Sequence, residues 1–254
     1  MRYSVCVSSV FRGLPMADAL RRVKAAGADA YEFWAWWDQD PEALSRLQQE
    51  LRLQAAAFCT RFVPMNDQNR QEEYLQGLFE SIRAAQILQC GTLITQAGQD
   101  LPDTPREAQE EQVIRTLQKA VPLLEDAGCT LALEPLNTQI DHNGHFLEKA
   151  GDAFRLVRAA GSPRVKVLYD IYHQHITEGS PVEDIIRNID LIAHFHLAGY
   201  PGRHEPWLAS RIDSQRILKE IGCAGYKGFV GLEYFPSGED TEGELKRFLS
   251  RKGE

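Results

Sequence analysis

The chain has 254 residues, of which 43% are hydrophobic, 25% charged and 9% aromatic. That is the composition of an ordinary globular protein with a full core, and it excludes disorder, collagen and coiled coil. Lys and Arg number 28 against 36 Asp and Glu, a formal net charge of -8 that repels phosphate and argues against nucleic acid or an anionic membrane as partner. The five cysteines, Cys6, Cys59, Cys90, Cys129 and Cys223, form no C-x-x-C pair. They are expected to be reduced residues of a cytoplasmic protein. No apolar run is long enough to span a bilayer, and Tyr3–Val10, interrupted by serines and followed by Arg12 and Gly13, is a poor signal peptide.

Short β-branched or aromatic runs alternate with amphipathic stretches from end to end. Expected strands and helices follow one another as Tyr3–Ser8 and Met16–Ala26, Ala30–Trp34 and Pro41–Glu50, Gln54–Thr60 and Glu72–Leu88, Gly91–Gln96 and Pro105–Ala127. The second half continues with Thr130–Glu134 and Gly151–Ala160, Val165–Asp170 and Val182–Asn188, Ile192–His196 and Ser214–Ile221, Gly228–Glu233 and Thr241–Lys252. Glycine follows the helical pattern at Ala26-Gly27, Ala127-Gly128, Ala160-Gly161 and Ile221-Gly222, where a helix is expected to stop. Eight such units in roughly 250 residues predict an α/β protein, a single closed (β/α)8 barrel over residues 1–254, in preference to a doubly wound open sheet.

In a parallel barrel the catalytic groups gather at the C-terminal ends of the strands. Four consecutive expected strands end in metal-type ligands: Glu134, Asp170, His196 and Glu233. Each alone is unremarkable, since a carboxylate after a strand is commonly a loop residue or a helix N-cap. Converging at one mouth, three carboxylates would repel one another, and a divalent cation relieves that repulsion. Three oxygens and one nitrogen with no thiolate favour Mn2+ or Mg2+, with Co2+ or Zn2+ as substitutes in vitro. His194, two residues before His196, points to the same face, as a packed interior histidine or a partner behind the ligands. The aromatic run Phe33-Trp34-Ala35-Trp36-Trp37 after the second strand could wall off a pocket, pack in the core or meet another subunit. His204, Glu205, His142 and Asn137 receive no assignment.

The segments Glu134-Pro-Leu-Asn137, Tyr169-Asp-Ile-Tyr-His173, His194-Phe-His-Leu-Ala-Gly-Tyr-Pro-Gly-Arg-His-Glu-Pro206 and Gly231-Leu-Glu-Tyr-Phe-Pro236 together resemble the hydroxypyruvate isomerase family, within the xylose isomerase-like TIM barrel sugar isomerases and epimerases. The resemblance runs along nearly the whole chain. It implies a divalent metal held by Glu134, Asp170, His196 and Glu233, with Glu134 and Glu233 also transferring protons. By the same comparison His173 and Arg203 bind substrate. The implied reaction interconverts hydroxypyruvate and tartronate semialdehyde, or a similar small keto acid, through a cis-enediolate, an intramolecular oxidoreduction belonging to carbohydrate metabolism.

The alternatives are a ketose 3-epimerase, which His196 resembles more closely than it does the glutamine of some hydroxypyruvate isomerases, and an inosose-type dehydratase. Residues 207–214 read WLASRIDS and depart from the family's pattern, which leaves the substrate open. A phosphorylated substrate is disfavoured, because only Gly199-Tyr-Pro-Gly202 offers a glycine-rich loop late in the barrel. Related barrels associate, so the resemblance also implies a homodimer or tetramer. A nuclease of the same superfamily would want more than the 7 histidines present and a basic rim.

Overall fold

A computed structural model describes residues 1–179 and 182–250. Eight strands, β1 (Arg2–Cys6), β2 (Ala30–Ala35), β3 (Gln54–Cys59), β4 (Thr92–Thr95), β5 (Thr130–Leu133), β6 (Val165–Asp170), β7 (Ile192–Leu197) and β8 (Phe229–Leu232), pair in parallel in sequence order. β1 pairs with β8 and closes the barrel, as the alternation of the sequence predicts. The helices are α1 (Val7–Val10), α2 (Met16–Ala25), α3 (Pro41–Leu51), α4 (Gln71–Leu88), α5 (Arg106–Ala127), α6 (Ala150–Ala160), α7 (Ile171–Glu178), α8 (Val182–Arg187), α9 (Ser214–Cys223) and α10 (Thr241–Ser250). The last two positions of the expected helix Thr241–Lys252 lie outside the described residues.

Most expected elements lie within two residues of the observed ones, and the differences have local causes. α7 was not expected. Asp170 ends β6 and at once caps α7, its Oδ1 accepting the N–H groups of Tyr172 at 2.8 Å and His173 at 3.2 Å. The chain therefore passes from strand to helix with no loop to announce it. α9 runs through Gly222 to Cys223, and the left-handed residue that follows is Gly225, with φ 87°. Gly222 had been expected to end it.

The main core lies between the outer wall of the barrel and the helices, with Phe33, Phe58, Tyr74, Leu78, Leu117 and Phe195 among its fully buried members. Ala57, Cys59, Ile94, Ala132 and Leu168 form a second apolar cluster. Residues two apart on a strand share a face. In this register Cys6 lies beside Glu32, Leu168 beside His194, Asp170 beside His196, and His196 beside Gly231. The shift between Val167 and Leu168 sets the Asp170–His196 pairing. The ends of β5 to β8 thus bring their polar residues to one mouth of the barrel. Among the described residues no helix is long and apolar enough to cross a membrane.

Candidate active site

Glu134 and Glu233 directly follow β5 and β8, Asp170 closes β6, and His196 stands one residue before the end of β7. Each offers one ligand atom, and these atoms all lie within 4.8 Å of one another. All four residues are buried, none more than 5% exposed. Glu134, His196 and Glu233 line a cavity of about 610 Å3, whose wall also includes Trp34, Gln96, His142, His145, His173 and Arg203. Asp170 stands behind that lining, its Oδ2 3.4 Å from His173 Nε2 and 3.3 Å from Arg203. The four expected ligands and both expected substrate-binding residues, His173 and Arg203, are therefore together.

The carboxylates are held from behind. Glu134 Oε2 accepts a hydrogen bond from Gln96 Nε2 at 3.1 Å. Glu233 Oε1 accepts one from the Trp34 indole at 2.7 Å, with the Cys6 thiol at 3.7 Å. Arg203 donates from one terminal nitrogen to Glu233 Oε2 and to Asp170 Oδ2, the latter at 3.3 Å. Burial disfavours ionised Glu233, but the charges of His196 and Arg203 outweigh it and hold its pKa well below the carboxylate range. For Asp170 burial prevails over the Arg203 and His196 charges, and its pKa is raised. Burial likewise disfavours charged His196, yet Glu233 and Glu32 raise its pKa well above the usual value.

Glu32 is the residue that sequence reading missed. Its carboxylate accepts hydrogen bonds from His194 Nε2 and His196 Nε2, both at 2.9 Å, and from the Ser4 hydroxyl. Burial opposes its charge, but His194 and His196 overcome that opposition and bring its pKa down to about 2. The consequence lies on the opposite edge of His196. With Nε2 committed to Glu32, Nδ1 is the nitrogen left for the other carboxylates, 3.6 Å from Glu134 and 3.3 Å from Glu233. Gly231 makes room for this pair, since a Cβ there would fall 2.4 Å from Glu32 Oε1 and 2.8 Å from His196 Cδ2. The available signal was parity: Glu32 is a charged residue two before Trp34, inside an otherwise apolar strand.

These residues fit a divalent cation. His196 Nδ1 is buried without a hydrogen-bond partner, within 3.6 Å of carboxylate oxygens of both Glu134 and Glu233. Ligands about 2.1 Å from one ion stand up to about 4.2 Å apart, so the cluster needs little contraction to close around it.

The loops after β7 and β8 aim Arg203. Its backbone lies in the left-handed region at φ 55°, a conformation costing of order 1–3 kcal/mol that neighbouring bonds must hold. Its carbonyl accepts the Phe235 N–H at 2.8 Å, and the His204 carbonyl accepts the Gly199 N–H at 2.7 Å. Glu205 is buried and bonds the Ser237 N–H at 3.1 Å and hydroxyl at 2.8 Å, so it anchors the loop. His204 is likewise engaged, Nδ1 to the Phe235 carbonyl at 2.9 Å. Of the aromatic run, Trp34 reaches the cavity and Phe33 packs in the core. Trp36 donates to the Ser81 hydroxyl at 3.0 Å, with the Arg61 guanidinium over its ring.

The xylose isomerase-like TIM barrel family model matches residues 20–251. A Homo sapiens protein named "Putative hydroxypyruvate isomerase" is 30% identical over 273 aligned positions that cover 100% of this chain and 97% of that protein. A Cupriavidus necator protein named 2-oxo-tetronate isomerase is 34% identical over 126 residues, 49% of this chain and 48% of its own length. Among solved structures, a Brucella melitensis protein titled AP endonuclease, family 2, superposes with a TM-score of 0.92 at 27% identity, covering 98% of each chain. Closed barrel, clustered strand ends and matches along the full length agree: the chain belongs to the xylose isomerase-like TIM barrel family, alongside the members named hydroxypyruvate isomerase.

Proposed function

We propose that the protein is a metal-dependent isomerase that interconverts hydroxypyruvate and tartronate semialdehyde, or a closely similar small 2-oxo acid, through a cis-enediolate. The observation that carries this reading is the convergence of Glu134 and Glu233 on His196 Nδ1, at 3.6 and 3.3 Å, with Asp170 in the same cluster. The names of the related proteins, 2-oxo acid isomerases of three and four carbons, support the substrate class. The acidic charge of the chain and a quartet with a single imidazole give no support to a nuclease.

Glu134, Asp170, His196 and Glu233 are the residues that hold the cation, Mn2+ or Mg2+ by the hardness of three oxygens and one nitrogen. When bound, it supplies Lewis-acid polarisation of the substrate carbonyl and its neighbouring hydroxyl. The protein moves the protons. One glutamate takes a proton from C3 of hydroxypyruvate, leaving the C2–C3 enediolate. The glutamate that took the proton then delivers it to C2, directly or by first passing it to the other glutamate, while the hydroxyl proton passes from O3 to O2. Arg203 keeps its charge, because Glu233 and Asp170 outweigh the effect of burial, and its Nε has no hydrogen-bond partner. It offers a substrate carboxylate a forked cation beside the glutamates, whereas Arg61, the other arginine lining the cavity, is paired with Glu80. Trp34 and the loops after β3 and β4 exclude water from the enediolate.

A ketose 3-epimerase is the second reading, and the cavity favours it on one count: about 610 Å3 exceeds the needs of a three-carbon acid. Proton NMR in D2O separates the two. Metal-loaded protein should wash deuterium into hydroxypyruvate and form tartronate semialdehyde, and Glu233→Gln should do neither. Exchange confined to C3 of a free ketose would assign an epimerase, water lost from the product a dehydratase, and no exchange in any substrate would sink the enolising mechanism.

A further inference from the structure

His173 presents its two ring nitrogens to different surroundings, and Asn137 decides which of them carries the proton. Asn137 Oδ1 accepts the backbone N–H groups of Ile140 at 3.0 Å and Asp141 at 3.2 Å. Those partners only donate, so they fix which way the amide faces. Its Nδ2 is turned to two other groups, Asp141 Oδ2 at 2.7 Å and His173 Nδ1 at 2.6 Å. An amide N–H can be received only by a ring nitrogen with a free lone pair, so Nδ1 is bare and the proton of the neutral ring sits on Nε2. A ring nitrogen that receives a hydrogen bond carries no proton, so the same contact marks the ring as neutral. His173 lines the cavity, and its Nε2 is buried without a hydrogen-bond partner, 3.4 Å from Asp170 Oδ2.

We propose that Asn137 is a positioning residue that holds His173 as its Nε2–H tautomer, so that a neutral imidazole donates a hydrogen bond from Nε2 to a substrate oxygen beside Asp170. The substrate half rests on the isomerase reading above; the tautomer half does not. The other tautomer would turn a lone pair towards both the Asp170 carboxylate and the negative oxygen of an enediolate. The held tautomer meets both with a donor.

The exchange variant Asn137→Asp/Asp141→Asn tests this, because it keeps the hydrogen bond between the two side chains and the total charge while reversing the polarity offered to His173. In metal-free protein labelled with 15N-histidine, long-range proton–nitrogen correlation reads the tautomer, with His173→Gln identifying the signals. The wild type should show His173 protonated on Nε2 and the exchange variant on Nδ1. Mn2+ affinity measured by calorimetry should stay within about threefold, while kcat on hydroxypyruvate falls roughly 10- to 100-fold. Asn137→Ala serves if the exchange variant does not fold, and it should lose the tautomer preference. A wild-type ring protonated on Nδ1, or a reversed tautomer with unchanged kcat, overturns the proposal. A wild type without turnover on any 2-oxo acid removes the isomerase reading and the substrate half with it, and the NMR result still decides the role of Asn137.

Discussion

Glu32 makes no contribution to the ligand quartet, yet its two imidazole partners decide whether His196 can join that quartet. A glutamine at this position keeps the shape and loses the match, since one amide oxygen cannot receive both Nε2 protons and the amide N–H2 would face a donor. His196 is then free to carry its proton on Nδ1, the nitrogen that the proposed cation would need bare. Glu32→Gln should therefore weaken Mn2+ binding roughly 10- to 100-fold while leaving the quartet intact, as read by titration calorimetry. Unchanged affinity would mean that the carboxylates alone hold the His196 ring. The four residues of the cluster were legible in the sequence because each stands at or beside the end of an apolar strand run. Glu32 was not, because it lies inside such a run and its purpose depends on a strand 162 residues away.

Asp170 shows how one element can serve two ends. Its Oδ1 caps α7, and its Oδ2 meets Arg203 at 3.3 Å and His173 at 3.4 Å. Asparagine retains the capping oxygen and alanine loses it, so the two substitutions separate the functions. Asp170→Asn and Asp170→Ala should both lose the cation, while Asn is more stable to urea than Ala by about 1 kcal/mol. Equal stability would mean that the cap carries no weight at this helix. The same economy explains why α7 escaped the sequence reading: periodicity needs a break between strand and helix to be seen, and here one aspartate ends the first and starts the second. The eight strands were legible because β-branched and aromatic residues cluster in short runs, and the ends of α5 and α6 because Gly128 and Gly161 take φ 68° and 75° there.

The closed barrel follows from eight alternating units, but the far wall of its cavity does not, being built by long-range pairings between the loops after β3, β4 and β5. Phe146 N–H donates to the Gly98 carbonyl at 3.0 Å and Asp100 N–H to that of Gly144 at 2.8 Å, closing the loops after β4 and β5 over the cavity. His145 sits in this seam, paired with Gln99 by an isolated antiparallel bridge and 8% exposed, with Nε2 lacking any partner. Burial, helped by His142, lowers its pKa from 6.5 to about 4. Above pH 6.5 the ring is neutral whether the chain is folded or unfolded, and it adds no pH dependence. As the pH falls towards 4 the unfolded chain takes up a proton that the folded chain refuses, so stability declines through this window. Between pH 7 and pH 5 this one group should cost about 2 kcal/mol of unfolding free energy. His145→Gln should lose correspondingly less over the same interval, measured by urea unfolding of chelated protein so that cation binding does not enter the comparison. An identical loss in the variant would show that His145 titrates normally and that the seam opens to water before the barrel unfolds.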